Sequence, residues 1–96
     1  MKQCLKIIII GKVQDVGYRD FVQKQAQMLD MEGIAQNEED GSVQILACGD
    51  ADKLDSLIDV LYKGTSKSRV DSVSAEPLNS KKDFRGVFRI IGFNKN

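Results

Sequence analysis

The chain has 96 residues, 42% of them apolar and 29% charged, with 14 basic side chains, 14 acidic ones and no histidine. That is material for one modest core and a single domain over residues 1–96, and a net charge of zero excludes a general nucleic-acid surface, which needs concentrated basic charge to release counterions. Without imidazole, Ser/His and Cys/His nucleophile pairs are excluded as well, so any chemistry must run on carboxylates, lysines, arginines, amides or backbone dipoles.

The first strand is expected over residues 5–10, a β-branched apolar run containing Ile7, Ile8, Ile9 and Ile10 that stops at Gly11. The run is too short for a secretory core or a membrane span, so a soluble cytoplasmic protein with no membrane partner is expected. Being apolar on both sides, it should also leave two isoleucines on the open face of a sheet, either covered by neighbouring side chains or marking a self-association patch. The loop VQDVGYR follows, and from Asp20 the period changes: Val22, Ala26 and Leu29 recur at i, i+4 and i+7, which predicts an amphipathic helix ending near Gly33. Residues 34–37 read as a short strand, EEDG as a turn, and residues 42–48 as an alternating strand, with Asp40-Gly41 supplying the hairpin signal. After an N-cap at Gly49-Asp50, Leu54, Leu57, Ile58 and Leu61 define a second helix, and Gly64 stands where its C-cap belongs. Strands are expected at 70–75, ended near Pro77, and at 87–91 after the polar loop NSKKDFRG, whose Lys81, Lys82 and Arg85 read as solvated. The order βαββαβ plus one C-terminal strand predicts an α+β, ferredoxin-like sandwich with two helices on one face of an antiparallel sheet.

Cys4 and Cys48 form no C-x-x-C, which leaves no zinc or thioredoxin-like motif, and their low density fits a reducing compartment. They are expected as two inert structural cysteines, with a regulatory disulfide as the alternative, because antiparallel pairing of the first and third strands would bring them to the same end of the sheet.

A β-α-β crossover makes the first two strands run the same way, so the loop after the first and the residue closing the second emerge at one end of the sheet. VQDVGYR and Asn37 are therefore expected as neighbours, about 10 Å apart at the backbone before side chains reach inward. The loop opens onto a helix, whose first turn has unpaired N–H groups and a partial positive charge. Successive loop amides can form a nest around a phosphate, Gly17 permits close approach of the backbone, and Arg19 supplies a planar fork of donors. Glycine-containing strand-to-helix loops are common, however, and an arginine in a first turn is more often solvated. Asn37, taken alone, reads as a turn-initiating asparagine.

The pattern G-x-V-Q-x-V-G-Y-R over residues 11–19, followed by an amphipathic helix and then by Asn37 before E-E-D-G-S-V, resembles the acylphosphatase family. GTSKSRVDSV, residues 64–73, resembles the family's stretch after its second helix, so nearly the whole chain is covered in order. The resemblance implies hydrolysis of carboxyl-phosphate mixed anhydrides to a carboxylate and inorganic phosphate, with no metal or other cofactor, by a small monomer whose partner is the small-molecule acyl phosphate. It implies that Arg19 grips the phosphate, that the main chain of Gln14, Asp15, Val16, Gly17 and Tyr18 cradles it, and that Asn37 holds the attacking water. Such a division is physically reasonable: acyl phosphates carry a good leaving group, and a neutral amide can orient water while the proton leaves to the substrate's phosphate.

Two departures from the pattern bear on activity. Asp15 stands where the family usually has glycine, which raises both a positive-φ penalty and a charge close to the phosphate. Glu38 and Glu39 follow Asn37 directly, and Gln36 replaces a frequent arginine. These features support an alternative, a non-catalytic phosphate- or phosphometabolite-binding module of the same fold. An RNA-recognition module shares the element order but requires aromatic base-stacking residues on the central strands, and residues 42–48 contain none.

Overall fold

The structure, a computed structural model, describes residues 2–79 and 83–92. Its elements are β1 (Lys2–Lys12), α1 (Tyr18–Met28), β2 (Glu32–Asn37), β3 (Val43–Asp50), α2 (Ala51–Lys63), β4 (Arg69–Pro77) and β5 (Phe88–Ile91). The strands form one sheet in the order β4-β1-β3-β2-β5, the expected α+β ferredoxin-like arrangement with an added C-terminal strand. The sheet is mixed rather than wholly antiparallel. β1 pairs antiparallel with β3 and β4, and β3 with β2, but β5 runs parallel to β2. The reason lies in the connection: β4 and β5 occupy opposite edges, so the chain crosses four strand spacings, about 19 Å, and starts β5 at the end of the sheet where β4 finished.

Alternation along the strands decides which side chains meet the helices. Ile7 and Ile9 of β1, Ala35 of β2, Val43, Ile45 and Ala47 of β3 and Phe88 of β5 are buried in one cluster with Val22 and Ala26 of α1 and Leu54, Leu57 and Leu61 of α2. Ile8 and Ile10, pointing the other way, are the two expected open-face isoleucines. Ile8 is half-buried, whereas Ile10 is 50% exposed, so neighbouring side chains cover only the first. Of the basic loop group, Arg85 is exposed, while Lys81 and Lys82 lie outside the described residues.

Several boundaries differ from expectation for local reasons. β1 does not stop at Gly11. It continues to Lys12 through a register shift against β4 between Ile10 and Gly11, a β-bulge that bends the strand and re-aims the loop that follows. Gly11 is required there, because its φ is 146° and a Cβ would lie 2.0 Å from the Arg69 carbonyl oxygen. α1 ends at Met28 instead of near Gly33, since Asp30 (φ 55°) makes the left-handed turn and Gly33 already lies inside β2.

The cysteines are the clearest correction. Cys4 and Cys48 face each other in the β1–β3 register and are joined by a disulfide. Antiparallel pairing of β1 and β3 does bring the two thiols together, and the register sets them directly opposite each other, 44 residues apart along the chain. With the pair bonded, the cysteine content gives no support to a reducing compartment. No helix among the described residues is long and apolar enough to cross a membrane. Because the bond closes a loop of 44 residues, reduction with dithiothreitol is expected to lower the urea midpoint by the equivalent of about 2–4 kcal/mol, leaving the far-ultraviolet circular dichroism of the native state unchanged. An unchanged midpoint would show that the bond contributes nothing in solution.

Candidate active site

The bulge at Gly11 delivers the chain into a short turn, residues 13–17, that leads directly into α1. Val13 at 1% exposure anchors the near side of the turn in the core, and Val16 packs against the same core from the far side. Between and after them, Asp15 (φ 61°) and Gly17 (φ 76°) adopt left-handed backbone, whereas Val16 does not. Alternation of the sign of φ along successive residues is the geometry of a backbone nest, in which neighbouring N–H groups converge on one point. Gly17 is also the N-cap of α1, and its carbonyl accepts the first helical hydrogen bond, from the Phe21 amide at 3.1 Å. The N–H groups of the first turn, which have no intrahelical acceptor, therefore open on the same side as the loop.

Arg19 sits in that first turn and is half-buried. Its Nη1 donates to the main-chain oxygen of Ile91 at 3.1 Å, and Gly92 lies alongside the guanidinium. β5 thus fixes the direction of the side chain. A cavity of about 100 Å³ lies here, lined by Val13, Asp15, Gly17, Tyr18, Arg19, Asp20 and Ile90. The loop, the helix start and the guanidinium are brought together as the sequence led one to expect. Tyr18 contributes its main chain only: the ring is buried, and its hydroxyl donates to the Leu61 oxygen of α2 at 2.9 Å. Burial pushes the phenol far above its ordinary range, so it stays neutral and carries no proton to the cavity.

Asn37 closes β2, opposite Val43, with 8% of its surface exposed. Its Oδ1 is buried and has no hydrogen-bond partner among the described residues. Buried acceptors left unpaired are rare, and each requires an explanation, of which a catalytic role is one. Asn37 is not part of the cavity wall, but its strand end is tied to the loop. Gln14 Nε2 donates to the main-chain oxygens of Glu38 at 2.7 Å and of Ser42 at 2.8 Å, so loop and strand end are neighbours at one end of the sheet.

The carboxylates are distributed differently from the expectation. Asp15 does line the cavity and is exposed, but Glu38 and Glu39 do not line it, and Asp20 does. Asp20 carries no distinguishing signal in sequence, because an acidic residue in a first helical turn is ordinary dipole compensation. No local signal announces Ile90 and Ile91 either, since they reach the site only through the parallel docking of β5 on β2. No group of three or more Cys, Asp and Glu side chains among the described residues has the disposition of a metal site.

Comparison with known proteins identifies the family. A family model described as acylphosphatase matches residues 5–90. The chain is 40% identical over 82 residues to an acylphosphatase of Salinibacter ruber, covering 85% of both chains. It is 44% identical over 66 residues to one of Aliivibrio fischeri, covering 69% of this chain and 73% of the relative. Among solved structures, the crystal structure of acylphosphatase from Bacillus subtilis superimposes with a TM-score of 0.88 at 34% identity, covering 95% of this chain and 99% of that one. The chain belongs to the acylphosphatase family.

Proposed function

We propose that the chain hydrolyses acyl phosphates to a carboxylate and inorganic phosphate at the cavity beside Arg19. The observation that carries this reading is the convergence of a backbone nest, a helix start and a β5-braced guanidinium on one 100 Å³ cavity. In the proposed complex the main chain of residues 14–18 donates to the phosphoryl oxygens. Arg19 keeps one donor on Ile91 and directs others of its fork to the same oxygens. Because these donors are fixed before substrate arrives, they stabilise charge developing on the transferring phosphoryl group with little reorganisation.

Asn37 supplies the other half. Its unpaired Oδ1 accepts a hydrogen from a water molecule and orients the water's lone pair toward phosphorus. The water oxygen forms a bond to phosphorus, the bond from phosphorus to the acyl oxygen breaks, and the carboxylate leaves with that electron pair. An amide is too weak a base to take the water's proton, so the proton passes to a phosphoryl oxygen of the substrate. No protein base and no metal is required in this scheme, because a carboxylate leaving group needs no protonation.

Asp15 and Asp20, both lining the cavity, support a second reading in which the site binds phosphate without turnover. A steady-state assay with a synthetic acyl phosphate separates the two, since the binding module would show phosphate-dependent thermal stabilisation and no hydrolysis. Under the catalytic reading, Arg19→Ala is expected to lose at least about 100-fold in kcat/KM with its circular dichroism unchanged, the scale seen when one preorganised donor is removed. Asn37→Ala is expected to lower kcat by a similar factor while KM moves less than threefold, as checked by the same assay. Asp15→Gly is expected to raise kcat/KM about fivefold, because a solvated carboxylate about 4 Å from a phosphate opposes it by ~1 kcal/mol. An unchanged kcat/KM in that variant would place the Asp15 charge outside the substrate's field.

A further inference from the structure

We propose that the side chain of Gln14 is a positioning residue that sets the distance between the phosphate cradle and Asn37. Its carboxamide faces two main-chain carbonyl oxygens, those of Glu38 and Ser42, at 2.7 and 2.8 Å. Only the NH2 end of an amide can face two acceptors, so both of its hydrogens are committed to these bonds. Glu38 is the residue after Asn37, and Ser42 precedes Val43, the residue paired with Asn37 across the hairpin. The amide therefore grips both strands at the point where Asn37 sits.

The turn that Gln14 grips is stiff without it. The Glu38 amide donates to the Ser42 oxygen at 2.9 Å, and the Gly41 amide donates to the Glu38 oxygen at 3.1 Å. Asp40 Oδ1 accepts from the Ser42 amide at 2.9 Å and from its hydroxyl at 2.6 Å. The loop end is equally anchored by Val13 and Val16 in the core. Gln14 thus holds neither piece in its own shape; it is a strut between two pieces that are already formed. On one side it is continuous with the Asp15–Gly17 nest, and on the other it adjoins the residue whose Oδ1 is buried and unpaired. A water held by that oxygen must meet phosphorus in line, and displacing a reacting group by about 1 Å can slow a reaction ~100-fold.

This inference rests on the reading of Asn37 as the water-orienting residue, and its test separates the two. In Gln14→Met, which keeps the length and removes both donors, kcat is expected to fall about 10- to 100-fold. KM and the inhibition constant for inorganic phosphate should stay within threefold, because the nest and Arg19 are untouched. In an Asn37→Ala background the same change should cost less than twofold further, since there is no longer a water to align. Gln14→Asn, which keeps the amide but shortens its reach by one methylene, replaces Gln14→Met if that variant does not fold and is expected to show the same split. A lowered urea midpoint with unchanged kcat, a loss expressed mainly in KM, or a fully multiplicative effect in the Asn37→Ala background would overturn the strut. Absence of hydrolysis by the parent protein would overturn the catalytic reading itself, and the strut with it.

Discussion

Two strands hydrogen-bonded antiparallel to the same third strand must run in the same direction. β3 lies between β1 and β2 and imposes that rule here, so β1 ends and β2 ends at one edge of the molecule. Everything proposed for the site depends on it. The loop after β1 carries the nest and leads into Arg19, the end of β2 carries Asn37, and neither has any reason of its own to approach the other. The buried faces of the three strands keep the arrangement in register. A slip of one residue would turn Ile7, Ile9, Val43 and Ile45 outward and bring polar neighbours such as Lys6 and Gln44 under the helices.

Within that frame the local chemistry is a balance between one guanidinium and two carboxylates. Arg19 is held by the Ile91 oxygen, and the strand that supplies this oxygen is itself secured at its start. Glu32 accepts hydrogen bonds from the Phe84 and Gly86 amides, 3.0 and 3.1 Å away, and pairs with Lys2 at 3.1 Å. The Phe84 amide foremost, with Lys2 adding to it, holds the Glu32 carboxyl below the usual glutamate range. A depressed acid stabilises the fold wherever it is ionised in both states. Its contribution is therefore present at neutral pH and lost as pH falls through the lowered value. Gln23 adds a second tie by donating to the Phe88 oxygen at 2.8 Å. Against the braced arginine stand Asp15 and Asp20, and their position on the cavity wall makes local charge, rather than the neutral total, the quantity that decides anion affinity in the proposed function.

Much of this was legible along the chain. The isoleucine run, the leucine spacing of α2, the Asp-Gly hairpin and the strand-to-helix loop are all signals carried by residues within a few positions of one another, and each appears where expected. Even the neighbourhood of loop and Asn37 followed from the crossover rule. What resisted reading had two kinds of cause. A glycine after an apolar run suggests a stop, but the structure uses Gly11 for a bulge and places Gly33 inside a strand, because a glycine's role depends on which backbone lies against it. Glu38 and Glu39 adjoin Asn37 in sequence yet lie off the cavity wall, whereas Asp15 and Asp20 lie on it, because the direction of a side chain rather than its distance along the chain decides which charges meet the site.

The order of amino acids, through periodicity and turn chemistry, was sufficient for the layered α+β fold, and the resemblance of the motif from Gly11 to Arg19 and the asparagine after it to the acylphosphatase family singled out Arg19 and Asn37. Periodicity and turn preference are local energies, and local energies can be summed along a chain without knowing where it goes. The Cys4–Cys48 bond, the parallel docking of β5, the Ile91 oxygen that aims Arg19 and the Gln14 bridge to the β2–β3 turn are of another kind. Each joins groups dozens of residues apart, and each forms only once strand order and register have brought both partners to the same place.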